Sequence, residues 1–93
     1  MNSKQNNEPK LFGVNLKWKK VGSTNEKITF MMCYTYEEAI SSLLKIKGGW
    51  KKIDIISIQE YDRETNEYRN EPILADDENG IIYQMKKSYE ESL

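Results

Sequence analysis

Three groups of side chains in this sequence have the types and spacing to do chemistry. The run Asp76-Asp77-Glu78-Asn79-Gly80 crowds oxygen donors together as a hard cation requires. Asp62, Glu64 and Glu67 would join it if both turns lay at one end of a sheet. The run lacks the spacing of oxygen donors about a central glycine that an EF-hand loop needs. Solvated loop charge is therefore the simpler reading, and no metal or cofactor is assigned. Lys17, Lys19, Lys20 and Lys27, with Lys51 and Lys52 further on, form a basic group that could track phosphates while a ring stacks on a base. Lysines on an outer strand also guard a sheet against edge-to-edge pairing, so a solvated face explains them too. Cys33 is the one thiol. It would need basic neighbours to ionise, and between Met32 and Tyr34 it reads as a small, half-buried residue of a strand.

What is missing narrows the chemistry further. The sequence has no histidine, which removes the usual general base, the Ser-His-Asp and Cys-His nucleophile systems, and the commonest metal ligand. A single cysteine excludes an intrachain disulfide and a thiolate zinc site within one chain. Neither a G-x-x-x-x-G-K-[ST] phosphate loop nor a G-x-G-x-x-G turn occurs. A non-enzymatic chain without cofactor is the expectation.

Charge and rings are unevenly spread. Residues 1–50 carry eight Lys and four Glu, a balance of +4, whereas residues 51–93 carry six Lys or Arg and eleven Asp or Glu, a balance of −5. Of six tyrosines, Tyr34 and Tyr36 are expected in or at the edge of the core. Tyr61, Tyr68, Tyr83 and Tyr89 fall in the acidic half, where no inward pattern accounts for all of them. Rings among carboxylates make an amphipathic surface suited to a basic partner. The two arginines, Arg63 and Arg69, sit among carboxylates and are poorly placed to read bases.

These residues need elements to position them. Residues 1–9 are polar and end at Pro9, the pattern of a flexible leader, with no apolar run of a secretory signal. Phe12, Val14, Leu16 and Trp18 alternate with Gly13, Asn15, Lys17 and Lys19, which predicts a half-buried strand with Lys17 and Lys19 on its outer face. Residues 21–26 are a turn by composition, and Ile28 to Thr35 alternates again, so a β-hairpin is expected. Thr35-Tyr-Glu-Glu38 has the form of a capping box. Tyr36, Ala39, Ile40, Leu43, Leu44 and Lys47 then fall at helical spacing, and Gly48-Gly49 supplies a left-handed stop. Ile53 to Tyr61 predicts a third strand whose alternation switches between Ile55 and Ile56, through either a central position or a bulge. Arg63 to Glu67 is a turn, and Tyr68 to Ala75 a fourth strand that Pro72 assigns to a sheet edge. Asn79-Gly80 is a hairpin dipeptide before the strand-like Ile81-Ile-Tyr83. Ile82, Met85, Tyr89 and Leu93 have helical spacing instead. The preferred expectation is a short strand at 81–85 leading into a loose helical tail.

The sequence thus predicts an α+β domain: an antiparallel sheet of four or five strands with one amphipathic helix on one face, in the order β-β-α-β-β, and a C-terminal segment that is strand or short helix. The domain is expected over residues 10–89, with a frayed tail at 90–93. No stretch approaches the roughly 20 apolar residues of a membrane span, and a single thiol suits a reducing cytoplasm. Short and rich in Asn, Lys and Ile, the chain resembles in composition the accessory proteins of bacteriophages and other mobile elements, a likeness that transfers no functional residue. The expected function is a protein-interaction module, such as an inhibitor, that docks a basic or nucleic-acid-handling protein through Tyr61, Asp62, Glu64, Glu67, Tyr68, Asp76, Asp77, Glu78 and Tyr83. The alternative is a nucleic-acid-binding domain using Lys17, Lys19, Lys20 and Lys27. A homo-oligomer joined at sheet edges is a further expectation.

Overall fold

A computed structural model describes residues 9–93, so the leader expected at 1–9 lies, apart from Pro9, outside the described residues. The alternating run becomes β1 (Phe12–Lys20), which buries Val14, Leu16 and Trp18 on one face. The indole of Trp18 keeps its N–H satisfied in the core by donating to Thr29 Oγ1 at 2.9 Å. Thr29 belongs to β2 (Lys27–Cys33), antiparallel to β1 in an unbroken register from Phe12 opposite Cys33 to Trp18 opposite Lys27.

That register settles which side of β2 faces inward, and it differs from the sequence reading. Cys33 is fully buried and Met31 packs on the core, while Ile28, Met32 and Tyr34 are each half exposed or more. Cys33 is therefore not half-buried, and Tyr34 is not a core residue. The outward set, Ile28, Phe30 and Met32, is wholly apolar while the inward set includes Lys27 and Thr29, so alternation alone favours the wrong side. The helix that follows directly covers the Cys33 side.

That helix is α1 (Tyr36–Lys47), and its ends are built as the local residues dictate. Thr35 Oγ1 accepts from the Glu38 amide at 3.1 Å, a cap worth about 1 kcal/mol. The Glu38 carboxylate reaches back one residue further than the usual box, accepting from the Tyr34 amide at 2.7 Å. At the other end Gly48 and Gly49 both take positive φ, and both amides donate to the Leu44 carbonyl. Ala39, Ile40 and Leu43 form the buried stripe.

The sheet continues with β3 (Ile53–Asp62) and β4 (Glu67–Leu74), giving the order β2-β1-β3-β4 with every neighbour antiparallel. The parity switch in β3 is a bulge: Trp18 faces Ile55 and Lys17 faces Ser57, which leaves Ile56 as the extra residue. Pro72 lies in β4 at the sheet edge, where no ladder amide is missed.

The C-terminal segment is α2 (Ile81–Glu91), a helix from its first residue and not a strand at 81–85. Asn79-Gly80 makes no hairpin because the chain has already left the sheet at Leu74. Asp77 Oδ1 accepts from the Asn79 amide at 3.0 Å, and the Asp77 carbonyl accepts from Gly80 at 2.9 Å. This turn sends the chain over the face that α1 already covers. Ile82, 1% exposed, then joins Ile40, Leu43 and Ile58 in a single core, with Ile81 and Met85 packed beside it. The protein is thus an α+β fold with both helices on one face of the sheet. Among the described residues, no helix packs on the other face.

Candidate functional site

The uncovered face of the sheet carries the residues that alternate away from the core: Gly13, Asn15, Lys17 and Lys19 on β1, Ile28, Phe30 and Met32 on β2, Tyr61 on β3 and Tyr68 on β4. At one end of this face three rings gather. Tyr61 faces Tyr68 across the β3–β4 ladder with ring centroids 4.8 Å apart, and Phe30 meets Tyr61 edge-on at 6.2 Å.

The cluster is held from several sides. Tyr61 donates its hydroxyl hydrogen to Asn66 Oδ1 at 2.9 Å, and Asn15 Nδ2 donates to the Tyr68 hydroxyl at 3.2 Å. Beneath Phe30 lies Gly13, where a Cβ would stand 2.5 Å from the Phe30 ring and 2.7 Å from the Tyr61 carbonyl oxygen. Only a glycine there lets the ring lie flat on β1, the way aromatic side chains cover glycines across strands. The Arg63 guanidinium sits 4.0 Å over the Phe30 ring as a cation–π partner.

The turn beside the rings is shaped by its own polar side chains. Asp62 Oδ1 accepts from the Glu64 amide at 2.9 Å, and Asn66 takes φ 58°, a left-handed position that Asn tolerates. Asp62 Oδ2 bonds Arg69 Nη2 at 3.0 Å. This bond, helped by the turn amides, holds the Asp62 carboxyl below the usual carboxylate range. A depressed carboxyl contributes stability above its unfolded pKa and loses it as pH falls through the folded value. Accordingly, the Asp62 carboxyl carbon should titrate by NMR below an ordinary aspartate, and Arg69→Gln should move the midpoint up toward the ordinary value.

Phe30, Met32, Tyr61, Asp62, Arg63 and Glu64 line a shallow groove of about 510 Å³ at this end, closed below by Leu11 to Gly13. From Glu60 to Glu71 the chain carries five carboxylates against two arginines, a net −3. Both arginines are engaged, one on Asp62 and one on Phe30.

The two acidic segments do not converge. Asp62 pairs with Glu67 at one end of β3, whereas the Ala75 amide bonds the Ile56 carbonyl near the other. Six strand residues separate them, roughly 20 Å. Among the described residues, no group of three acidic or thiol side chains comes together as metal ligands would. Tyr61, Asp62, Glu64, Glu67 and Tyr68 thus form one group. Asp76, Asp77, Glu78 and Tyr83 form another, in which Asp77 serves the turn before α2, and Asp76 and Tyr83 line a second cleft of about 910 Å³. That cleft mixes Lys19, Lys86 and Lys87 with Asp54, Asp76, Glu90 and Glu91, so it presents no sign of charge to a partner.

The lysine group is split as well. Lys17 and Lys19 lie on the uncovered face, but Lys20 faces Ile53 and Lys27 faces Trp18, on the opposite parity. Lys19 also stands opposite Asp54. Cys33 is sealed in the core, and burial together with Glu38 and Glu60 pushes its thiol up, away from the reactive thiolate.

No family model matches this sequence, and no curated protein or solved structure is significantly similar to it. The site must be read from its own geometry.

Sequence reasoning missed Phe30, Met32, Gly13 and Arg63. Phe30 reaches the tyrosines only because β1, with a glycine at position 13, lies between them. An isolated glycine inside an alternating strand was the available signal for a close approach.

Proposed function

We propose that this chain is a non-enzymatic, cytoplasmic protein-binding module that docks an arginine-rich segment of a basic protein on the helix-free end of its sheet. The observation that carries this reading is the Phe30–Tyr61–Tyr68 cluster, partly exposed on an uncovered sheet face and bordered by carboxylates in excess of their cations. Aromatic, Met and Arg side chains mark the centres of protein interfaces, and here Phe30, Met32, Tyr61 and Arg63 line one groove with Tyr68 packed against Tyr61. Guanidinium groups stack on such rings and pair in bidentate fashion with carboxylates such as Glu64, which lines the groove beside them. A basic surface of this kind is what a nucleic-acid-handling protein offers, so occupying it would inhibit such a partner.

Nucleic-acid binding is less well supported, since only Lys17 and Lys19 share the ring-bearing face and Lys19 already faces Asp54. Fluorescence anisotropy with a labelled arginine-rich peptide and a single-stranded oligonucleotide of similar length separates the two readings. Saturable binding of the peptide and none of the oligonucleotide is expected. Tight, steeply salt-dependent binding of the oligonucleotide with no peptide binding would overturn the proposal.

A further inference from the structure

The two edges of the sheet are built differently. At the β4 edge, Pro72 lacks an amide, Asn70 takes φ 66°, and the register shifts between Ile58 and Glu60. These are the devices by which sheets refuse further strands. The β2 edge has none of these three, and its one charge is Lys27 at its first position. Its register with β1 is unbroken over seven pairs, and residues 28–33 contain no charge, proline or glycine. Alternate residues of such a strand leave their N–H and C=O groups pointing outward, ready for another ladder.

The exposed side chains of β2 are arranged symmetrically. Ile28 and Met32, 55% and 54% exposed, lie two residues either side of Phe30 on the uncovered face. We propose that β2 pairs antiparallel with β2 of a second copy about a two-fold axis through Phe30, making one eight-stranded sheet. In that register Phe30 faces its own counterpart, and Ile28 of each copy lies opposite Met32 of the other. On the helix side, Thr29 lies opposite Met31 and Lys27 opposite Cys33. Each exposed apolar residue is thereby covered by the other kind, the self-complementarity that an isologous two-fold contact needs. An unrelated strand would gain nothing from this symmetry, which is why a second copy is the fitting occupant.

The pairing shares Phe30 and Met32 with the docking groove but does not rest on that reading: a parent that is monomeric and still binds the peptide overturns the pairing alone. The test is sedimentation equilibrium of the full chain over micromolar to millimolar concentrations, with two sets of variants. The parent should sediment at twice its 11.0 kDa mass at the upper concentrations. Ile28→Lys combined with Met32→Lys places like charges opposite each other and should return it to a monomer with an unchanged circular dichroism spectrum. Under mild oxidation Phe30→Cys should form a disulfide-linked dimer, whereas Ile28→Cys should not, because its counterpart lies four residues away along the strand. A parent that stays monomeric overturns the proposal. So does a dimer that survives the double lysine variant, or one that cross-links through position 28 and not position 30.

Discussion

Ile82→Ala is expected to destabilise the protein by about 2–5 kcal/mol, the usual cost of emptying a fully buried isoleucine site. Ile82 is the only residue of α2 that is completely enclosed, and it is the point at which this helix enters the core with Ile40 and Leu43. The neighbours Ile81 and Met85 are only partly buried, so they cannot collapse into the space without drawing the helix with them. Domains of this size are stable by about 5–15 kcal/mol and sit toward the lower end, so the loss is a large share of the total. Thermal unfolding followed by circular dichroism should show a midpoint lower by on the order of 10–30 °C. Lys86→Ala, on the exposed side of the same helix, should stay within about 0.5 kcal/mol of the parent. If Ile82→Ala unfolded like the parent, α2 would not be part of the core.

The second large effect concerns the ring cluster. Replacing Tyr61 and Tyr68 together with alanine should weaken the arginine-rich peptide by at least about 2 kcal/mol, the scale of aromatic anchors at interface centres. That corresponds to a loss of about 30-fold in affinity. Both rings stand outside the buried cluster, so stability should fall far less than for Ile82→Ala. Tyr68→Phe keeps the ring and removes only the hydroxyl that accepts from Asn15, and should bind nearly as the parent. The comparison separates ring recognition from simple attraction to a −3 segment, because diffuse charge attraction is indifferent to the two tyrosines. Isothermal titration of the three proteins with one peptide makes the measurement.

Elements whose determinants are local were legible from the sequence. The Thr35–Glu38 cap, the Gly48-Gly49 stop and the alternation of Phe12 to Trp18 depend on neighbours within a few residues, and each predicts its element. Where two local readings compete, partners elsewhere in the chain decide. Ile81-Ile-Tyr83 suits a strand or a helix equally well, and burial of Ile82 beneath α1 selects the helix. The outward face of β2 is the more apolar one, and only the pairing of Cys33 with Phe12, under the start of α1, sends Cys33 inward and leaves Met32 out.

The candidate site was legible in the same uneven way. Tyr61 and Tyr68 flank a turn, so a hairpin there brings them face to face, and their acidic surroundings were plain. The joining of Asp62–Glu67 to Asp76–Glu78 depended on the length and direction of β4, which places the two turns at opposite ends. Phe30 comes from two strands away in the sheet, and the four lysines divide between faces because Lys20 directly follows Lys19 on β1 and Lys27 is in register with the inward Trp18.

The most direct measurement of the central claim is an amide chemical-shift map of the isotope-labelled protein titrated with the arginine-rich peptide. The expected result is a contiguous set of perturbed amides at Gly13, Asn15, Phe30, Met32, Tyr61, Arg63, Glu64 and Tyr68, with α2 unmoved. Perturbations confined to Asp76–Tyr83, or to the helices, with the ring-bearing end silent, would contradict it.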